Sequence, residues 1–133
     1  MNNDILSFVL AAALASSLLG LACLGMSNYA AHAQTTSGTT VSMAKGSQSA
    51  SNPEFYVPTD TAVKAGETVT WRNDDTAIHT ATSGKDATPD GRFDTSLVSP
   101  GHSSKPITMP NEPGQYPYFC TLHPWMEGTI TVS

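Results

Sequence analysis

From residue 53 onward the chain alternates between short strand-like runs and clusters of Gly, Pro, Asn and Asp. The clearest run is Thr68–Asn73, in which period-two alternation places Val69 and Trp71 on one face. No segment after residue 33 has the periodicity of an amphipathic helix. Many short strands separated by turns indicate an all-β sandwich rather than a helical or mixed fold.

Other strands are predicted from the same pattern, with turn residues setting their limits. The predicted strands are Glu54–Val57, Ala77–Thr82, Phe93–Val98, Lys105–Met109, Gln115–Cys120 and Gly128–Val132. Residues 83–92 are rich in Gly, Pro and Asp and are predicted to form a loop. Tyr116 and Tyr118 share a strand face with Cys120, so inward-facing tyrosines would bring the thiol to the top of the core.

The N-terminal part of the chain predicts export. Ile5 to Met26 form an apolar run without a charged residue, and the small residues of Ala31-His32-Ala33 are typical of a signal-peptidase site. Residues 1–33 are therefore predicted to be a signal peptide or, because the run is long enough to span a bilayer, a retained anchor helix. Either alternative places the rest of the chain in the periplasm or at the extracellular face of the membrane. Membrane contact is expected only through this segment, if it is not cleaved.

The domain boundary is predicted from composition. Residues 34–52 are rich in Ser, Thr, Gly, Ala and Gln and are interpreted as a flexible leader. Within them Thr39–Met43 alternates and contains β-branched residues, which is equally consistent with a first edge strand. The folded domain is expected over residues 53–133. A chain of 133 residues has room for one such domain and not for two.

The charge of the chain excludes one class of partner. Its formal net charge is −5 at pH 7, which argues against a nucleic-acid-binding surface. The acidic residues Asp74, Asp75, Asp86 and Asp90 are interpreted as a solvated face. Complementary charge mainly steers encounter, so the acidic balance is compatible with a redox protein that has a basic docking face.

Three potential metal ligands lie close together near the C-terminus, in the pattern Cys120-x2-His123-x2-Met126. The other cysteine, Cys23, lies in the N-terminal apolar run, so an exported domain would contain one unpaired thiol, which needs a special role. Thiolate, imidazole and thioether donors select copper, and one Cys with two His and a weak axial Met describes a blue-copper site. His79 is the candidate for the second imidazole. Zinc rarely takes a thioether, and no second Cys is available to it here.

These segments resemble the cupredoxin family of type 1 blue copper proteins, and the ligand-loop spacing is most similar to its plastocyanin-like and amicyanin-like members. The similarity covers residues 53–133 and rests on Trp71-Arg72-Asn73 and on Tyr116-Pro117-Tyr118-Phe119-Cys120. It implies a Greek-key β-sandwich that binds one copper ion, as Cu(I) or Cu(II). It further implies a trigonal plane of three ligands with a fourth on the axis, the set being His79, Cys120, His123 and Met126.

The resemblance also implies a docking surface. His123 is expected to be the partly exposed ligand, and the neighbouring Pro124 and Trp125 would form an apolar patch where redox partners dock and electrons enter or leave. Thr80 stands where relatives often carry an Asn that ties the two ligand loops together. Its hydroxyl is able to make the same bond.

The expected function is that of an electron carrier and not of an enzyme. Four protein ligands leave no open position for a substrate, and the sequence shows no nucleophile–base pair or paired carboxylates. The protein is thus expected to carry one electron at a time between a donor protein and an acceptor protein. Two alternatives remain open: a module that stores or delivers copper, and a redox enzyme whose copper is open to substrate because Met126 does not bind it.

Overall fold

The computed structural model describes residues 38–133, and the signal peptide or anchor helix predicted over residues 1–33 lies outside them. Every regular element in the described part is a β-strand. Between residues 38 and 133 there is no helix long and apolar enough to cross a bilayer. The all-β class expected from the alternation pattern is confirmed.

The described residues form nine strands, which make two sheets. The strands are β1 Thr39–Met43, β2 Tyr56–Val57, β3 Asp60–Val63, β4 Thr68–Asn73, β5 Thr82–Lys85, β6 Thr88–Asp94, β7 Ile107–Thr108, β8 Gly114–Phe119 and β9 Glu127–Val132. One sheet has the order β2-β1-β4-β7 and the other has the order β3-β9-β8-β5-β6. Neighbouring strands are antiparallel except for the parallel pairs β1–β4 and β3–β9.

Buried side chains from both sheets form one hydrophobic core. Val69 and Trp71 of β4 are fully buried, as their alternation predicts. The Trp71 ring stacks on Phe93 of β6 with ring centroids 5.6 Å apart and meets Tyr118 of β8 edge-on at 5.5 Å. Such pairs add about 0.5–1.5 kcal/mol each beyond the burial of their area. They therefore join the sheets and anchor β8, the strand that leads into Cys120.

Strand β1 lies inside its sheet and not at an edge, which corrects the expected edge strand. It pairs in parallel with β4 from Thr39 to Met43 and antiparallel with β2 through Ser42 and Met43. Val41 and Met43 are fully buried, so this strand contributes to the core. The sandwich of the described residues therefore includes residues that composition alone assigned to a leader.

The region predicted as a loop, residues 83–92, is a β-hairpin. Strands β5 and β6 pair across a turn at Asp86 and Ala87, whose φ angles are 52° and 57°. Two consecutive left-handed residues are typical of a type I′ turn, which usually carries Asn-Gly or Asp-Gly, so the sequence lacks the usual signal. The strand predicted over Ala77–Thr82 is also misplaced, because β5 begins only at Thr82.

Candidate metal centre

The structure brings three of the predicted ligands together. His79 lies between β4 and β5, Cys120 directly follows β8, and His123 lies in the loop between β8 and β9. The two Nδ1 atoms of the histidines are 3.1 Å apart, and Cys120 Sγ lies 3.8 Å from His79 Nδ1 and 3.6 Å from His123 Nδ1. His79 and Cys120 are buried, whereas His123 is partly exposed, as the resemblance implied.

The spacing of these donor atoms fits a metal ion. Metal–nitrogen bonds of about 2.0 Å and metal–sulfur bonds of about 2.3 Å in a trigonal arrangement place neighbouring donors roughly 3.5–3.7 Å apart. The observed distances of 3.1, 3.6 and 3.8 Å lie close to that range. One thiolate with two imidazoles is a donor set that suits copper far better than the hard, oxygen-seeking cations.

Met126 closes the ligand loop. Its side chain is fully buried, and its main-chain N–H donates to the carbonyl oxygen of His123 at 2.8 Å. The N–H of Cys120 donates to the carbonyl oxygen of Met126 at 3.1 Å. The N–H of His123 donates to the carbonyl oxygen of Cys120 at 3.2 Å. Main-chain hydrogen bonds therefore stabilise the ligand loop. The axial role of Met126 stays a prediction.

The sulfur of Cys120 is held in a setting that favours the thiolate. Burial by itself raises the pKa of this thiol, but hydrogen bonds from His79, from the main-chain N–H of Thr80 and from His123 outweigh burial and lower the pKa to about 6. The Thr80 nitrogen lies 3.3 Å from Sγ. Because the thiolate is the form that binds metal, the site is prepared for one.

The sequence analysis missed the contact of Asp75 with His79, and its assignment of Asp75 to a solvated face is wrong. Its side chain is 0% exposed, and its Oδ2 lies 2.7 Å from Nε2 of His79. Burial raises the pKa of Asp75, but hydrogen bonds from the Gly46 N–H, from His79 and from other N–H groups lower it to about 2. Burial lowers the pKa of His79, yet Cys120 and Asp75 together raise it overall. No local pattern indicated this contact, because the segment from Asp75 to His79 is neither a helix nor a strand.

The segment between Asn73 and His79 is shaped by one buried amide. The Asn73 side-chain nitrogen donates to the carbonyl oxygens of Ala77 at 2.7 Å and Val98 at 2.8 Å, and its Oδ1 accepts from the N–H of Asp75 at 2.9 Å. The main chain is thereby bent after β4, so that His79 makes an isolated bridge with Val98. This explains why His79 follows the Trp71-Arg72-Asn73 sequence without lying in a strand.

The predicted docking residues lie around the partly exposed ligand. Pro124 is exposed, and the Trp125 side chain is 39% exposed with its ring edge-on to that of His123, the centroids being 5.3 Å apart. Ile78 and Leu122, each next to a histidine in the chain, are exposed as well. Exposed apolar side chains therefore lie beside the histidine that reaches solvent.

A match to the family described as cupredoxin-like domain extends over residues 13–132. The chain belongs to the cupredoxin family. Its fold and its cluster of one thiol and two imidazoles are those of a cupredoxin, and the residues present fit the single copper ion that such proteins bind.

Individual relatives give the same assignment. Amicyanin of Paracoccus versutus is 35% identical over 77 residues, which are 58% of this cupredoxin and 57% of the relative. Chloroplastic plastocyanin of Hordeum vulgare is 34% identical over 88 residues, which are 59% of this chain and 54% of that protein. The chain thus spans little more than half the length of these relatives. A purple cupredoxin from Nitrosopumilus maritimus has 29% identity and a TM-score of 0.65, over 71% of this chain and 99% of that one.

Proposed function

We propose that this cupredoxin is an exported one-electron carrier that passes electrons between a donor and an acceptor protein and catalyses no reaction of its own. Copper held by His79, Cys120, His123 and Met126 would supply the Cu(II)/Cu(I) couple. The observation that carries the proposal is the cluster of three donor atoms within 4.8 Å of one another, two of them on buried residues. Residues 1–33 are proposed to direct the chain out of the cytoplasm, as a cleaved signal or an anchor.

The ligands of the proposed carrier are supported on both sides. Strand β8 ends at Phe119, and β9 begins at Glu127, so the ligand loop is fixed by the pairing of these two strands. The N–H of Thr80 contacts the sulfur, and Asp75 contacts His79 from behind. Ligands that are held in place move little when the metal changes charge, which suits rapid electron transfer.

Electrons are proposed to enter and leave through His123. It is the partly exposed histidine of the cluster, and Pro124 and Trp125 beside it offer an apolar surface on which a redox protein can dock. Exposed apolar side chains that are grouped in this way mark interaction sites in soluble proteins. The net negative charge of the chain would favour encounter with a basic partner.

The experiment that tests the proposal is a visible and EPR spectrum of the purified protein after addition of Cu(II), followed by ascorbate and reoxidation. We expect an intense blue band with narrow copper hyperfine splitting, bleached by ascorbate and restored on reoxidation. Cys120→Ser is the matched control and should lose the band. A pale spectrum of nitrogen and oxygen ligands in the unmodified protein would overturn the four-ligand site. A blue protein that releases copper to an acceptor faster than it exchanges electrons would instead favour storage or delivery.

A further inference from the structure

A turn from the N-terminal stretch lies behind both histidines of the metal centre. Ser47 is fully buried in this turn, and its hydroxyl donates to the carbonyl oxygens of Ala44 and Phe55. The N–H of Gly46 lies 2.8 Å from Oδ1 of Asp75, and the N–H of Gln48 lies 3.1 Å from its Oδ2. The turn therefore holds the carboxylate by its main chain and is itself held by a buried hydroxyl.

The Asp75 carboxylate transmits this support to His79. Nδ1 of His79 is turned toward the thiol, and Nε2 lies 2.7 Å from Asp75 Oδ2. When Nδ1 binds a metal, Nε2 carries the ring proton and donates it to the carboxylate, which fixes the ring plane and makes the imidazole a stronger donor. Both side chains are 0% exposed, so water is kept away from this bond.

The same turn reaches His123 by a different route. The carbonyl oxygen of Ser47 accepts a hydrogen bond from the Trp125 indole N–H at 3.1 Å. The Trp125 ring in turn meets the His123 ring at an interplanar angle of 66°. The turn Gly46–Gln48 thus reaches each imidazole through one intervening side chain. That side chain is Asp75 for His79 and Trp125 for His123.

We propose that the turn Gly46–Gln48 is an outer support of the metal site, which positions His79 through Asp75 and His123 through Trp125. This inference rests on the proposed copper site. Asp75 then has a second effect, because its negative charge lies one hydrogen bond behind a ligand and favours Cu(II) over Cu(I). Removing that charge should raise the reduction potential, whereas a purely structural contact would weaken the binding of both oxidation states alike.

The first test compares Asp75→Asn with Asp74→Asn in the full chain. The control removes the same charge from the adjacent residue, whose side chain is 40% exposed and pairs with Arg72. We expect Asp75→Asn to weaken Cu(II) binding about 10–100-fold, to weaken Cu(I) binding less, and so to raise the potential. Asp74→Asn should leave both affinities within about twofold of the unmodified protein, as expected of an exposed charge. Equal shifts in the two variants would overturn the role of Asp75.

The second test examines the route from the turn to His123. It can be carried out even if Asp75→Asn does not fold. Trp125→Phe keeps an aromatic ring but loses the N–H that binds Ser47, and we expect copper affinity to fall about two- to tenfold, the value of one hydrogen bond. Leu122→Ala, an exposed neighbour in the same loop, is the control and should not change affinity. Unchanged affinity in Trp125→Phe would overturn the second route. If the unmodified protein forms no blue site at all, the proposed function itself fails, which is a separate result.

Discussion

The hydroxyl of Thr80 accepts a hydrogen bond from the main-chain N–H of Thr121 at 3.0 Å and joins the segment of His79 to the loop of His123. It also accepts a hydrogen bond from the hydroxyl of Thr82 at 3.1 Å. The hydroxyl of Thr80 therefore links the two ligand segments, as the sequence analysis expected it to be able to do.

Replacing Thr80 by Ala should lower the free energy of unfolding of the copper-free protein by about 1 kcal/mol, because the Thr121 N–H loses its partner. Thr80→Ser keeps the hydroxyl and should retain most of that stability. Urea unfolding of the two variants measures the difference. The tie would have no energetic role if both variants unfolded at the same urea concentration as the unmodified protein.

Replacing Met126 by Leu should shift the reduction potential while the blue band persists, because the thioether is lost but the thiolate remains. Leu nearly conserves volume, so the stability cost should stay below about 1.5 kcal/mol. Met126→Ala leaves a cavity as well and should cost about 2–5 kcal/mol. Voltammetry of Met126→Leu is the decisive measurement. A potential identical to that of the unmodified protein would show that Met126 is not an axial ligand, as an open-site enzyme requires.

Removing copper should lower the stability of the protein, because the metal binds the folded chain. At a free copper concentration 100 times the dissociation constant, the gain is about 2.7 kcal/mol. Thermal unfolding with Cu(I) under anaerobic conditions, before and after chelation, measures this gain. Cys120→Ser should show no such difference, and a chelation effect of equal size in that variant would place the bound copper elsewhere.

Replacing Gly128 by Ala should destabilise the fold by about 1–3 kcal/mol through overpacking. A Cβ at this position would lie 2.5 Å from the ring of Tyr118, a core residue that also contacts Trp71. Gly114, at the other end of the β8–β9 pair, is the matched control, because its Cβ would meet Tyr116 at an ordinary 3.8 Å. Denaturant midpoints of Gly128→Ala and Gly114→Ala should therefore differ clearly. Equal midpoints would mean that the Tyr118 ring moves aside at little cost.

The features that could be predicted are those that depend on local sequence patterns. Alternation identified the buried face of Val69 and Trp71, and the pattern Cys120-x2-His123 placed two donors in one short loop. His79 was found because copper chemistry requires a second imidazole, and the fold then brought it to within 3.8 Å of the sulfur.

The features that escaped prediction depend on contacts between distant segments. Asp75 reads as one more acidic residue until the N–H groups of Gly46 and Gln48 are placed beside it, and those lie more than 25 positions upstream. The position of β1 is set by its pairing with β4 and not by its own composition. The hairpin at Asp86 and Ala87 was missed because neither residue is glycine, which left-handed turns favour.

The interior position of β1 in its sheet determines where the chain can be shortened at its N-terminus. A fragment that starts at Pro53 would lack β1, a strand that pairs with β2 on one side and β4 on the other. Strand β4 would then have unpaired N–H and C=O groups along Thr68–Asn73. Such an open edge recruits strands from other molecules. The shortened protein should therefore self-associate into aggregates, whereas cleavage after Ala33 leaves β1 intact.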